Sequence, residues 1–311
     1  MKRLSRRRFL HSTASGAAGL LGASLIGCSD EGDPDEGGLV SVEGPQWNVV
    51  EAFGSRQRYS VSDREMVARD LGSGRPAVVF DAGMGATGDA WTRVLTTLRD
   101  HHVFAYDRAG LGGSEPGALP CVASRVVEEL RALLAEAGVE PPHVLVGHSL
   151  GGLHMQYFAR RYPQEVARLV LVDPSFADQE TRFQEAVTAS EYELMLGGIA
   201  DFFAATSAGG RAEYESFLDS AAEVAAVPPL ADIPLVELTN VDAPSIEGVA
   251  PASEDAMQTE RIEGHTALAA SVPRSTLIPV TGTGHDIPNG DPETVEAAIR
   301  KAVEVASGFI G

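Results

Sequence analysis

Positive charge is scarce in this sequence. It has 24 lysine and arginine residues against 44 aspartate and glutamate residues, which gives a formal net charge of -20 at pH 7. Because so negative a surface repels phosphate backbones, we expect no nucleic-acid partner. Hydrophobic residues make up 44% of the 311 residues, so the chain can bury a full core, which argues against disorder throughout.

Cysteine is also nearly absent, since Cys28 and Cys121 are the only two. The histidines and carboxylates show no short ligand spacing, so we predict no metal site. Long apolar runs are missing as well. The stretch over 14–27 is rich in Ala, Gly and Leu, but it is too short and too weakly apolar for a comfortable membrane-spanning helix.

The N-terminus carries two motifs that are typical of exported bacterial proteins. Arg6 and Arg7 resemble the arginine pair of a twin-arginine export signal, and Leu-Ile-Gly before Cys28 resembles a lipobox. In signals of that kind the chain is cut before the cysteine, whose thiol then carries lipid. The alternative is an uncleaved N-terminal anchor, which would give the same compartment.

These motifs divide the chain into three segments. We predict an export signal over 1–27, a disordered acidic tether over 28–46 and one folded domain over 47–311. The protein is then expected to be exported and held at the bacterial cell envelope, with the membrane as a partner through a lipid anchor on Cys28. Cys121 is left without a disulfide partner, so the fold has to rest on its core.

Short apolar runs alternate with helical patterns along the predicted domain. This alternation predicts the α/β class, with a mostly parallel, doubly wound sheet that places its working residues at the carboxyl ends of the strands. Residues 176–230 break the alternation and have a helical pattern throughout. Two early runs, 47–53 and 58–68, predict an antiparallel start, and the strands expected after them cover 77–80, 103–106, 143–146, 169–172, 235–238 and 276–280.

One strand leads directly into a nucleophile motif. Residues 147–151 read Gly-His-Ser-Leu-Gly, which matches Gly-x-Ser-x-Gly between a predicted strand and a predicted helix. A nucleophile on so sharp a turn needs glycine on both sides, because a Cβ there would clash. Ser149 is therefore the candidate nucleophile.

Five motifs in this order resemble the α/β-hydrolase superfamily. The resemblance covers nearly all of the predicted domain, and it implies an α/β-hydrolase sheet with a helical cap at about 176–230 and the chemistry of a serine hydrolase. The motifs are Val-Val-Phe-Asp-Ala-Gly-Met-Gly at 78–85, Ala-Tyr-Asp-Arg-Ala-Gly-Leu-Gly-Gly-Ser at 105–114, Val-Gly-His-Ser-Leu-Gly-Gly at 146–152, Leu-Val-Asp-Pro-Ser at 171–175 and Gly-Thr-Gly-His at 282–285.

The resemblance implies a histidine base after the last strand, with an acid between the nucleophile and that base. His285 takes the position of the base. Asp173 and Asp242 both fit the order for the acid. Asp242 follows the strand where the family commonly keeps its acid, but the usual glycine is missing there. Relatives with the same early motifs often lack that later acid, so we favour Asp173 and keep Asp242 as the alternative. We interpret His154 and His265 as packed or exposed.

A tetrahedral intermediate needs two N–H donors. The resemblance implies the backbone N–H of Leu150, which follows the nucleophile, and one from the loop after the strand at 77–80, where Met84 is our candidate. The family often has His-Gly in that loop, whereas this chain has Ala82-Gly83.

The same loop also matches the dinucleotide fingerprint Gly-x-Gly-x-x-Gly, at Gly83, Gly85 and Gly88. The match does not lie in the first βα unit, and no convincing acid ends the next strand. An oxyanion loop explains the same glycines, so we predict no cofactor.

Aromatic side chains are concentrated in 176–230, which suggests an apolar wall above the nucleophile. We therefore expect a small-molecule substrate, a carboxylic ester with an apolar part, cleaved through an acyl-enzyme. The alternatives are an acyltransferase, amidase or carbon–carbon hydrolase with the same triad, or a lipoprotein of this fold that only binds ligands.

Overall fold

The computed structural model describes residues 56–230 and 232–310. The export signal, the tether, Cys28 and the early run at 47–53 lie outside these residues and stay predictions. None of the helices described is long and apolar enough to cross a membrane.

Eight strands form one sheet within the described residues. In chain order they are β1 Gln57–Val61, β2 Arg64–Leu71, β3 Val78–Asp81, β4 Val103–Asp107, β5 His143–His148, β6 Val166–Val172, β7 Leu235–Asn240 and β8 Ser275–Val280. Their order across the sheet is β1-β2-β4-β3-β5-β6-β7-β8. The pairs β1–β2 and β2–β4 are antiparallel, and every later pair is parallel, which puts the carboxyl ends of β3 to β8 at one edge.

Helices cover both faces of this sheet. They are α1 Thr92–Thr97, α2 Ala123–Glu136, α3 Leu150–Arg161, α4 Gln179–Ala186, α5 Ala189–Ala204, α6 Ala208–Ala226, α7 Pro251–Ala270, α8 Ile287–Gly290 and α9 Pro292–Ile310. Helices α4 to α6 lie between β6 and β7, in the segment expected to form the cap.

The core consists of two apolar layers separated by the sheet. Along β3, Val78 and Phe80 pack on the side of Trp91 and α9, while Val79 packs on the other side against α2 and α3. A parallel strand buried on both faces has to be apolar at every position, which is why these strands have apolar runs rather than alternating patterns.

The run predicted over 58–68 is not one strand. It forms the hairpin of β1 and β2, which turns at Ser62 and Asp63, and Ser62 has a φ of 58°. Small polar residues tolerate this left-handed conformation at a turn, and apolar residues on both sides hid the turn from the periodicity.

Candidate active site

The nucleophile motif forms a sharp turn between β5 and α3. Ser149 has a φ of 53° and a ψ of -120°, an uncommon backbone conformation for a residue with a side chain. A Cβ on Gly147 would lie 2.6 Å from the carbonyl oxygen of Gly151, so the first flanking glycine is required by the close approach of its own turn. Ser149 is 4% exposed and lies at the carboxyl edge of the sheet.

The structure brings Asp173 and His285 together at that edge. Asp173 directly follows β6, and its Oδ2 lies 2.6 Å from Nδ1 of His285. Because a carboxylate only accepts, Nδ1 carries the proton and Nε2 is left free to take one. The backbone N–H of Asn240, at the end of β7, donates to Oδ1 of Asp173 at 3.0 Å and fixes the orientation of the carboxylate.

Asp173 stays ionised in this site. Burial alone would raise its pKa, but the hydrogen bond from His285 and the positive charge of Arg261 hold the pKa of this carboxyl well below its usual range. Nη1 of Arg261 donates to Oδ2 at 2.7 Å, the same oxygen that binds His285.

Asp242 makes a different contact. Its Oδ2 accepts the backbone N–H of Gly282 at 2.6 Å, which ties the loop before His285 to the end of β7. Of the two candidate acids, Asp173 binds the imidazole, and Asp242 fastens the loop that carries it.

His285 lies against the residue that precedes the nucleophile. Nε2 of His148 donates to the backbone carbonyl of His285 at 2.9 Å, and the two ring centroids are 4.7 Å apart. Burial lowers the pKa of His148 to about 3, so this ring is neutral at physiological pH. Within the described residues the Ser149 hydroxyl has no hydrogen-bond partner. Catalytic hydrogen bonds that are absent in the free state often form only with substrate.

The two proposed oxyanion donors have free N–H groups. Neither the Met84 N–H nor the Leu150 N–H has a partner in the part of the chain that the structure describes. The Met84 loop lies against the candidate nucleophile, because a Cβ on Gly83 would be 3.6 Å from Cβ of Ser149.

The glycines of the apparent dinucleotide fingerprint are explained by packing. A Cβ on Gly83 would lie 3.2 Å from the His148 ring, and one on Gly88 would lie 3.0 Å from the backbone of Ala105. Gly85 has a φ of 71°, which favours glycine.

Residues 76–209 match the family model of the α/β hydrolase fold. The chain has the α/β-hydrolase fold. The fold class predicted from the sequence is thereby confirmed, with its mostly parallel sheet flanked by helices.

Relatives of this α/β-hydrolase-fold protein include enzymes. The uncharacterized protein YqjL of Bacillus subtilis (strain 168) is 34% identical over 108 residues, 34% of this chain and 43% of that protein. Lipase LipV of Mycobacterium tuberculosis is 38% identical over 117 residues, 38% of this chain and 44% of that protein. The chain thus matches less than half the length of these relatives.

A solved structure of a thermophilic esterase from Thermogutta terrifontis extends the likeness over most of the fold. The two chains are 20% identical with a TM-score of 0.57, and the match covers 81% of this chain and 99% of that one. At this identity the likeness concerns the fold alone.

The sequence did not reveal the groups around Asp173 in this α/β-hydrolase-fold protein. Nε2 of His265 lies 3.6 Å from Oδ1 of Asp173, and its Nδ1 lies 2.6 Å from Oε1 of Glu237 on β7. Arg261 and His265 are one helical turn apart on α7 and share a face. Glu237 offered a signal, since a charged residue inside an apolar strand needs a buried partner.

A second missed group surrounds Asp81, the last residue of β3. It accepts from Nη1 of Arg108 at 2.5 Å and pairs with Nδ1 of His154 at 2.9 Å. Arg108 also binds Glu213 on α6, with Nε donating to Oε1 at 2.6 Å. Arg108 belongs to the motif at 105–114, but no sequence pattern indicated that Glu213 on α6 is its partner.

Proposed function

We propose that this protein is a serine hydrolase that cleaves carboxylic esters with an apolar part, with Ser149 as nucleophile, His285 as base and Asp173 as acid. The observation that carries the proposal is the 2.6 Å hydrogen bond between Asp173 and His285, made beside the Ser149 turn. The Ser149 turn and the Asp173–His285 pair lie at the same edge of the sheet, and the three residues follow the chain order Ser, Asp, His, which supports the proposal.

The reaction follows from these positions. Ser149 Oγ attacks the ester carbonyl carbon while Nε2 of His285 takes its proton, and Asp173 stabilises the resulting imidazolium. The N–H groups of Met84 and Leu150 stabilise the negative oxygen of the tetrahedral intermediate. Its collapse expels the alcohol, which receives the proton from His285. Water then cleaves the acyl-enzyme by the same sequence and regenerates Ser149.

An apolar substrate is supported by the side chains above the Met84 loop. Phe203 on α5 stacks on Tyr214 of α6 with ring centroids 5.5 Å apart, and Phe202 packs edge-on to Phe203 at 5.0 Å. A Cβ on Gly85 would lie 3.3 Å from the Phe203 ring, so this aromatic group covers the loop. Phe202 and Tyr214 are partly exposed, so an apolar acyl or alcohol group would find contacts on them, whereas Phe203 is buried. The name of the relative LipV, a lipase, favours an ester over an amide or a carbon–carbon bond.

The test is labelling with a fluorophosphonate probe together with turnover of p-nitrophenyl esters of graded acyl length. We expect wild-type protein to be labelled and to hydrolyse the esters, and Ser149→Ala to lose both by at least about 10³-fold. Turnover should rise with acyl length among the shorter esters.

Ser175→Ala is the matched control. Ser175 is a buried serine whose backbone N–H donates to the Ser149 carbonyl at 2.9 Å, a bond that alanine would keep. It should keep labelling and turnover. Unchanged turnover in Ser149→Ala would overturn the proposal, and a wild-type protein that binds esters without being labelled would identify a ligand-binding protein instead.

A further inference from the structure

Arg108 reaches the loop that carries the proposed oxyanion donor. Its guanidinium is 3% exposed at the end of β4. Nη2 donates to the Gly83 carbonyl at 2.6 Å, and Nη1 donates to the Ala82 carbonyl at 2.7 Å and to Asp81. Two successive carbonyls of the loop are thus held by one rigid, planar group.

The contact of Arg108 to the Gly83 carbonyl, which also accepts the Ala86 N–H at 3.1 Å, constrains the direction of the Met84 N–H. The Gly83 carbonyl and the Met84 N–H belong to the same peptide group, which is planar and trans, so the two bonds point in opposite directions. When Arg108 holds the carbonyl on one side, the N–H is turned to the other side. That N–H has no partner among the residues described, as a donor waiting for an oxyanion requires.

Glu213 of α6 holds both Arg108 and the next part of the loop. Its Oε1 accepts from Nε of Arg108 at 2.6 Å, and its Oε2 accepts from Nη2 at 3.0 Å and from the Gly85 N–H at 2.7 Å. The Gly85 N–H is therefore occupied and does not compete with the Met84 N–H for an oxyanion. Arg108 and Glu213 together fix the peptide bonds on both sides of Met84.

Helix α6 sits directly on this loop. A Cβ on Gly210 would lie 3.2 Å from Cα of Gly85, and one on Gly209 would collide with the carbonyl of Gly110. Gly209, Gly210 and Glu213 occupy one face of the first turns of α6, so glycine lets the helix approach closely enough for the carboxylate to reach the loop.

We propose that Arg108 and Glu213 are positioning residues that aim the Met84 N–H at the reacting carbonyl, so that helix α6 of the cap completes the oxyanion hole. This inference rests on the proposed function. The cap is then part of the catalytic apparatus as well as a cover, because its seating determines the orientation of a donor that stabilises only the transition state.

The test compares Glu213→Gln with wild type. Glutamine fills the same volume, but its amide offers one accepting oxygen where the carboxylate serves Arg108 and Gly85 with two. Removing an oxyanion donor costs about 10²- to 10³-fold in kcat, and a misaimed donor should cost less, about 10- to 100-fold. KM should stay near the wild-type value because the ground-state carbonyl does not depend on this donor.

A trifluoromethyl ketone separates positioning from a merely structural role. It adds to Ser149 and forms a tetrahedral oxyanion, so its inhibition constant should rise by the same factor by which kcat/KM falls. Arg108→Lys is the second variant: it keeps the charge but loses the planar fork, and it should show the same pattern.

Glu165→Gln is the matched control. Glu165 forms a two-bond pair with Arg131, at 3.0 Å and 2.7 Å, at the amino end of the sheet. It should keep wild-type kinetics and inhibitor affinity. The inference is overturned if Glu213→Gln and Arg108→Lys behave like this control, or if they raise KM and leave kcat unchanged. Full turnover in Ser149→Ala would instead overturn the proposed function, and the inference with it.

Discussion

Two buried aspartates stand on either side of the nucleophile strand. Asp81 ends β3 and Asp173 follows β6, and both strands pair with β5. Each carboxylate is at most 2% exposed and forms close hydrogen bonds with an arginine and a histidine. The partners are Arg108 at 2.5 Å and His154 at 2.9 Å for Asp81, and Arg261 at 2.7 Å and His285 at 2.6 Å for Asp173.

The two pairs differ in what the second histidine nitrogen can reach. His154 is 1% exposed inside α3, and its Nε2 is buried with no partner in the described part of the chain. His285 lies on a loop with its side chain 17% exposed, against the residue before Ser149. The presence of an aspartate–histidine pair therefore does not by itself make the histidine a catalytic base. It becomes reactive where the imidazole can meet both a nucleophile and a substrate.

The variant Asp173→Asn is the strongest test of the difference between the two aspartates. An asparagine amide would no longer hold the Nδ1–H tautomer of His285 or stabilise its imidazolium, and we expect kcat to fall about 10³- to 10⁴-fold. Steady-state kinetics with the p-nitrophenyl ester that is turned over fastest would measure this fall in kcat. Asp242→Asn is the matched control and should stay within about tenfold of wild type, since Asp242 binds the Gly282 N–H. The larger loss in Asp242→Asn would make that residue the acid.

Asp81→Asn should have the opposite effect: it should lower the free energy of unfolding and leave kcat nearly unchanged. It removes one carboxylate from a buried group of charges, and breaking such a pair costs about 3 kcal/mol of the free energy of unfolding. We expect kcat to fall less than tenfold, because Arg108 keeps Glu213 and the Gly83 carbonyl. Urea denaturation and kinetics on the same preparation would measure both quantities. A loss of kcat as large as that of Asp173→Asn, with little loss of stability, would contradict the contrast.

Only part of this site could be predicted from the sequence. The strands, the Ser149 turn and the position of His285 each carry a local signal, because glycine, apolar runs and turn residues act over a few positions. Asp173 and Asp242 could not be separated in that way. Both follow strands, and which one meets the imidazole depends on how the loop over 282–285 returns to the sheet edge.

The charged partners Arg261 and Glu213 could not be found from local sequence patterns. Arg261 meets Asp173 across 88 residues of sequence, and Glu213 meets Gly85 across 128. Both side chains stand on helices, where an isolated charged residue has the pattern of a solvent-exposed position. Only the packing of those helices against the sheet edge turns them inward.

The smallest expected effect concerns pH. Buried partners hold the pKa values of Asp81 and Asp173 below the usual range, so both carboxylates stay ionised between pH 5 and pH 7. His143, at the amino end of β5, does matter in this window. Burial lowers its pKa to about 4, while the charges of Glu165, Arg75 and His102 have smaller effects.

A histidine whose folded pKa lies below its unfolded value binds protons more readily in the unfolded chain, so stability falls as the pH drops from about 6.5 towards 4. At about 1.4 kcal/mol per pKa unit, His143 should remove at most about 2 kcal/mol between pH 7 and pH 5. His143→Gln should flatten the pH dependence of the free energy of unfolding by that amount, as measured by urea denaturation at both pH values. An unchanged slope in His143→Gln would contradict the assignment of this pH dependence to His143.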